Sequence, residues 1–179
     1  MEKIYLARHA TPDWSMKDIP YHLPPGPPLI EQGHHEAAEL GQFFKNHGVR
    51  RLFVSPLERC QTTAQIAAQV SGAELETVES LKEWQPEEDR AAVITRMRPA
   101  FETALSASQQ DQPVAIVSHG GPITFLLREL GLDEKQLKEQ MIYDHQNPVP
   151  PAGVWEATRS SSSEPWRLRL AFKPSTSKN

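Results

Sequence analysis

Three short apolar runs constrain this chain more than any other feature, because each one ends abruptly in residues fit for chemistry. Lys3 to Ala7 runs into Arg8-His9, Arg51 to Val54 into Ser55-Pro56, and Val114 to Val117 into Ser118-His119-Gly120-Gly121. Each run is too short for a helix and rich in β-forming residues, so each reads as a buried strand. Between them the apolar spacing changes to a helical period. Ala37, Leu40, Gly41 and Phe44 fall at i, i+3, i+4 and i+7 and make one stripe. Strands alternating with helices predict a single α/β domain built on a parallel sheet.

The rest of the chain fits that frame. Pro12, Pro20, Pro24, Pro25, Pro27 and Pro28 forbid regular structure, so residues 12–28 read as a long loop. A helix is predicted over 32–47, stopped by Gly48. Another is predicted over 56–70, with Pro56 in its first turn and Ser55 as its cap. A short strand over 74–78, an acidic irregular stretch over 81–88 and a helix over 88–108 follow. A helix over 122–130 stops at Gly131, with another turn or two over 133–140. Val154–Thr158 and Trp166–Phe172 form a predicted hairpin. Residues 1–172 are therefore expected to form one domain, with 173–179 a polar, frayed tail.

Composition removes several classes of function. The net charge of −4 and the absence of any basic cluster longer than Arg50-Arg51 argue against nucleic acid. No apolar run approaches the roughly 18 residues of a membrane span. The apolar stretch after Met1-Glu2-Lys3 is too short for a signal peptide, and one cysteine makes no internal disulfide, so a cytoplasmic location is expected. No heptad or interface stripe defines an oligomeric state.

In a parallel sheet the carboxyl ends of the strands share one edge, the usual place for a ligand. Arg8, His9, Arg59 and His119 would meet there from distant parts of the chain. Arginine forks suit phosphate, and the glycines after His119 let backbone amides approach an anion at a helix start. The combination describes a site for a dianionic group with a histidine aimed at it. Other reactive residues read as structural. Cys60 has Ile66 where a cysteine phosphatase loop carries arginine, and is expected in the core. His34 and His35 face different sides of a helix and make a poor metal pair; His22 and His145 are loop residues, and Trp14 is expected to pack its loop.

Taken together and in order, these segments resemble the histidine phosphatase superfamily, the phosphoglycerate mutase-like proteins. Leu6-Ala7-Arg8-His9-Ala10 is similar to the family's Arg-His-Gly strand end, and Pro28-Leu29-Ile30-Glu31-Gln32-Gly33 to its helix entry. Ser55-Pro56-Leu57-Glu58-Arg59-Cys60-Gln61-Thr62-Thr63-Ala64 matches its Ser-Pro-Leu-x-Arg-x-x-Gln-Thr-Ala motif with one substitution. Leu81-Lys82-Glu83 resembles its acidic element, and Val117 to Gly121 is its second histidine motif unchanged. Departures lie at Ala10, Thr11, Pro12 and Ser15, where the family often has Gly-Glu-Thr and Asn, and after Glu83.

The resemblance implies a three-layer α/β/α fold with a mostly parallel central sheet, and phosphoryl transfer through a phosphohistidine. His9 would be the nucleophile, and Arg8, Arg59, His119 and Gly120 would hold the phosphoryl group. Glu83 would donate and accept the proton, with Glu87, Glu88 and Asp89 as like-charged neighbours. No metal and no cofactor are implied. The implied activity is hydrolysis of a phosphate monoester by a phosphatase of histidine acid phosphatase type, acting on a small phosphorylated substrate. A mutase-type phosphotransferase, a protein phosphohistidine phosphatase and a non-catalytic anion-binding module are the alternatives. The loops at 12–28, 84–90 and 142–152 are expected to form the lid.

Overall fold

The computed structural model describes residues 1–108 and 112–177; the last two residues of the expected tail, 178 and 179, lie outside the described residues. Six strands form one sheet: β1 (Glu2–Arg8), β2 (Arg51–Val54), β3 (Glu74–Thr77), β4 (Val114–Ser118), β5 (Val154–Arg159) and β6 (Arg167–Phe172). Their spatial order is β3-β2-β4-β1-β5-β6. β1, β2, β3 and β4 are mutually parallel, and β5 runs antiparallel to both β1 and β6. The helices are α1 (Glu31–Asn46), α2 (Glu58–Ser71), α3 (Arg90–Ala107), α4 (Gly120–Glu129) and α5 (Glu134–Gln140).

Alternation along the central strands explains the three layers. Tyr5, Ala7, Leu52, Val54, Ala115 and Val117 face the apolar stripe of α1 and α2, with Leu40, Phe44 and Ala64. Ile4, Leu6, Phe53, Val114 and Ile116 face α3 and α4, with Met97, Phe101, Ile123 and Leu127. Both faces are covered, so these strands read as continuous apolar runs rather than as alternating ones. Gly41 is required where α1 crosses α2, because a Cβ there would lie 2.8 Å from the Ala67 carbonyl oxygen. Gly48 and Gly131, at φ +70° and +101°, follow the ends of α1 and α4 as their positions imply.

Two local expectations are corrected. α2 begins at Glu58 rather than at Pro56, and its N-cap is Leu57. Ser55 does not cap it: its hydroxyl pairs with Nε2 of His119 at 2.7 Å, and the Leu57 amide reaches it only at 3.4 Å. The tail is held rather than frayed as far as it is described. Pro174 is buried, the Ser175 amide and hydroxyl donate to Glu39 at 2.8 and 2.6 Å, and the Thr176 hydroxyl donates to Glu36 at 2.9 Å. No helix among the described residues is long and apolar enough to cross a membrane.

Candidate active site

The register of the three central strands sets the site. Arg8 pairs with Ser118, and Val54 with Val117, so the ends of β1, β4 and β2 lie level. The chain stays in register for one more residue: the His9 amide donates to the Ser118 carbonyl at 2.9 Å and the Ser55 amide to Val117 at 3.0 Å. His9 and His119 therefore emerge side by side, ring centroids 5.3 Å apart. Arg59 reaches the same point from the first turn of α2. His9, His119 and Arg59 are fully buried, and Arg8 is 4% exposed.

Hydrogen bonds assign the state of each ring. Nδ1 of His9 lies 2.8 Å from the Ala10 carbonyl oxygen, which only accepts, so Nδ1 carries the proton. Nε2 is left with its lone pair, 3.3 Å from the Tyr21 hydroxyl. Nδ1 of His119 accepts from Arg59 Nη2 at 3.0 Å, so its Nε2 donates to Ser55. Burial, followed by the charges of Arg59 and neighbouring groups, holds both imidazoles well below their usual pKa, so both are neutral. A neutral imidazole with an exposed lone pair is a nucleophile.

The arginines are anchored at their ends, and each keeps a buried Nε without a partner. Arg8 makes a bidentate pair with Asp144, at 2.8 and 2.7 Å, and its Nη1 also donates to the Val149 carbonyl at 2.9 Å. Arg59 donates from Nη1 to the Tyr21 carbonyl at 2.8 Å and from Nη2 to Glu83 at 3.1 Å. Its guanidinium stacks on the Tyr21 ring, 3.9 Å from the centroid. Nε of Arg8 and Nε of Arg59 are buried without a partner. An unpaired buried donor costs about 1–3 kcal/mol, a cost that an arriving anion removes.

Glu83 sits on the turn after a 3-10 segment (Glu79–Leu81), with its Oε1 accepting from the Trp84 amide at 2.9 Å. Arg96 of α3 staples this turn through the carbonyls of Ser80, Lys82 and Glu83 at 2.6–3.1 Å. The like-charged neighbours do not crowd the acid. Glu88 pairs with Arg96 at 2.5 Å, which holds its carboxyl below the usual range, and Asp89 caps α3 through the Ala92 amide.

Arg8, Tyr21, Glu83 and Gly120 line one cavity of about 380 Å³, together with Trp14 and His145. A Cβ on Gly120 would overlap the Asn147 amide, so a larger residue there requires that side chain to move. Of the predicted site residues, Arg8, Glu83 and Gly120 line this cavity, while His9, Arg59 and His119 cluster with Glu83 in the buried layer and are not among its lining residues. Cys60 is buried as expected, its thiol pushed up to about 12 by burial, and His34 and His35 are exposed on α1. Trp14 does more than pack its loop, since it lines the cavity edge-on to His145. Tyr21, Asp144 and Ser55 escaped sequence reasoning as site residues. Their only signals were an aromatic residue among prolines, an acid in a predicted lid loop, and a serine that also suits a helix cap.

Ligand atoms of His9, Glu83 and His119 lie within 4.8 Å of one another, which is close enough for a cation. Two guanidiniums border the same space, and two fixed positive charges oppose a dication and favour an anion.

The fold is shared with several solved structures. A mycobacterial glucosyl-3-phosphoglycerate phosphatase is 18% identical, with 97% of this chain and 99% of that one covered at a TM-score of 0.73. YhfR of Bacillus stearothermophilus is 16% identical over 94% and 96% of the two chains, with a TM-score of 0.73. A putative α-ribazole-5′-P phosphatase from Escherichia coli is 19% identical over 95% and 96%, with a TM-score of 0.70. No curated protein matches the chain in sequence. The sequence pattern of one family does match, over residues 4–88 and 84–147. With both histidine motifs inside those segments, the chain belongs to the histidine phosphatase superfamily, branch 1.

Proposed function

We propose that the protein is a phosphatase that hydrolyses phosphate monoesters through a phosphohistidine on His9. One observation carries this reading: the unprotonated Nε2 of His9 shares a buried site with two arginines whose Nε groups lack partners, and with Glu83. A phosphoryl group bound by the unpartnered Nε groups of Arg8 and Arg59 would put phosphorus beside Nε2. The Nε2–P bond forms as the ester P–O bond breaks, and Glu83 passes its proton to the leaving oxygen. In the second step water attacks phosphorus, its proton returns to Glu83, and the N–P bond breaks to release phosphate. The Tyr21 hydroxyl moves from Nε2 to a phosphoryl oxygen as the lone pair is used. His119 holds Arg59 in place by accepting from it at Nδ1.

The test is covalent labelling. Wild-type protein is expected to hydrolyse an aryl phosphate and to trap an acid-labile phosphoenzyme. His9→Ala is expected to lose the label and at least about a thousandfold in turnover. Full activity in His9→Ala would overturn the mechanism.

A further inference from the structure

Beyond the phosphoryl cradle, the cavity is walled by rings. Trp14 and His145 stand edge to face there, centroids 5.7 Å apart at 87°, and Trp14 is 37% exposed. The Tyr21 ring lines the same cavity. Gly121 also lines it, and a Cβ on Gly121 would meet Trp84 at 3.8 Å. Trp84 is 45% exposed yet fixed. Its Nε1 donates to the Glu88 carbonyl at 2.7 Å, and Phe125 packs edge-on at 5.2 Å. A tryptophan held this firmly beside the cavity, behind Gly121, offers flat apolar surface with little entropy left to lose.

The charges at the cavity are already committed. Among the described residues that line it, Arg8 is the only Lys or Arg, and its end-on fork is filled by Asp144. Arg59 is fully buried behind Tyr21. Glu83, the proposed proton donor, is the only Asp or Glu among those lining residues, and Asp144 lies outside the lining, tied to Arg8. A leaving group with its own carboxylate would find no unpaired lysine or arginine in that lining beyond the phosphoryl cradle, and burying an unpaired charge is unfavourable. An uncharged ring would instead find aromatic faces.

We infer that the site selects phosphate monoesters whose leaving group carries an uncharged aromatic ring, with Trp14 and Trp84 setting that preference. The inference rests on the phosphatase reading above. The cavity volume, about 380 Å³, lies near the lower end of the roughly 300–1,000 Å³ usual for small-molecule sites, which suits a single ring system.

The experiment compares kcat/KM for esters with similar alkyl leaving oxygens: benzyl phosphate, adenosine 5′-monophosphate, glycerol 3-phosphate and 3-phosphoglycerate. Wild type is expected to favour the ring-bearing esters at least about tenfold over 3-phosphoglycerate. Trp14→Ala and Trp84→Ala are each expected to raise KM for a ring-bearing ester roughly fivefold to tenfold, while glycerol 3-phosphate changes less than about twofold. The benzyl and adenosine arms separate an aryl from a nucleoside source of the ring. Equal use of 3-phosphoglycerate, or tryptophan variants that weaken all four esters alike, would overturn the inference. In that case a labelled His9 leaves the phosphatase reading standing. If no ester labels His9 at all, both readings fall together.

Discussion

The Tyr21 hydroxyl lies 3.3 Å from Nε2 of His9, while the ring of the same tyrosine carries the guanidinium of Arg59 at 3.9 Å. One residue of the proline-rich loop thus touches both the proposed nucleophile and a phosphoryl-binding arginine. Burial raises the Tyr21 pKa, so its hydroxyl keeps its proton as a donor. Tyr21→Phe removes the hydroxyl and keeps the stacked ring. It is expected to lower kcat roughly tenfold to a hundredfold with KM within about threefold, as loss of one transition-state donor does. Steady-state kinetics at wild-type values would remove Tyr21 from the chemistry.

Asp144 orients Arg8 from a turn whose His145 and Gln146 adopt φ of +53° and +55°. Such backbone costs about 1–3 kcal/mol per residue and persists where surrounding contacts impose it. Asp144→Ala frees the turn and leaves the Arg8 charge buried without its counter-ion. The expected result is a loss of about 2 kcal/mol in urea unfolding and a KM raised about tenfold. Asp144→Asn, which keeps one acceptor, should fall between this variant and wild type.

Glu36 is 2% exposed and accepts from the Thr11 amide and hydroxyl, both at 2.8 Å, from Gln32 at 2.7 Å and from Thr176 at 2.9 Å. It ties the loop after His9 and the C-terminal tail to α1. Glu36→Ala strands these donors and is expected to cost about 3 kcal/mol. For a chain of this length that corresponds to a fall of roughly 6–12 °C in Tm, readable by calorimetry. A Tm within about 2 °C of wild type would show that the network contributes little.

The two neutral histidines make stability depend on pH. Their folded pKa values lie well below the unfolded value of about 6.5, so below that pH the unfolded chain binds the extra protons. The stabilisation is present above about pH 6.5 and lost as the pH falls. The loss is about 1.4 kcal/mol per pH unit for each histidine until its folded pKa is reached. Urea unfolding between about pH 7 and about pH 5.5 should show this slope, and His9→Asn should reduce its histidine part by about half. A flat profile over that interval would contradict the assignment of neutral rings.

The framework of the site was legible because its information is local. Arg8, His9 and His119 follow directly from the ends of buried strands, and Arg59 from the first turn of the helix after the next one. Tyr21 was not legible, because nothing near it in sequence determines where its loop runs. That path depends on distant partners: the Glu58 amide on the Pro25 carbonyl at 2.9 Å, Arg59 on the Tyr21 carbonyl, and Gln85 on the His22 carbonyl at 3.0 Å. Ser55 was misread for a different reason. A serine before proline at a strand end suits a helix cap, and only the position of His119 shows which partner wins.

The position of β1 sets when the site can exist during synthesis. His9 leaves the ribosome well before the neighbours of its strand, which are β4 and β5, and β5 ends at Arg159. Arg8 likewise waits for Asp144. A nascent chain therefore holds its proposed nucleophile, until β4 and β5 have emerged, without the walls that make it reactive. Contacts this distant in sequence also slow folding, because long loops must close before they are rewarded. Chains truncated before β5 should carry His9 intact and remain chemically silent.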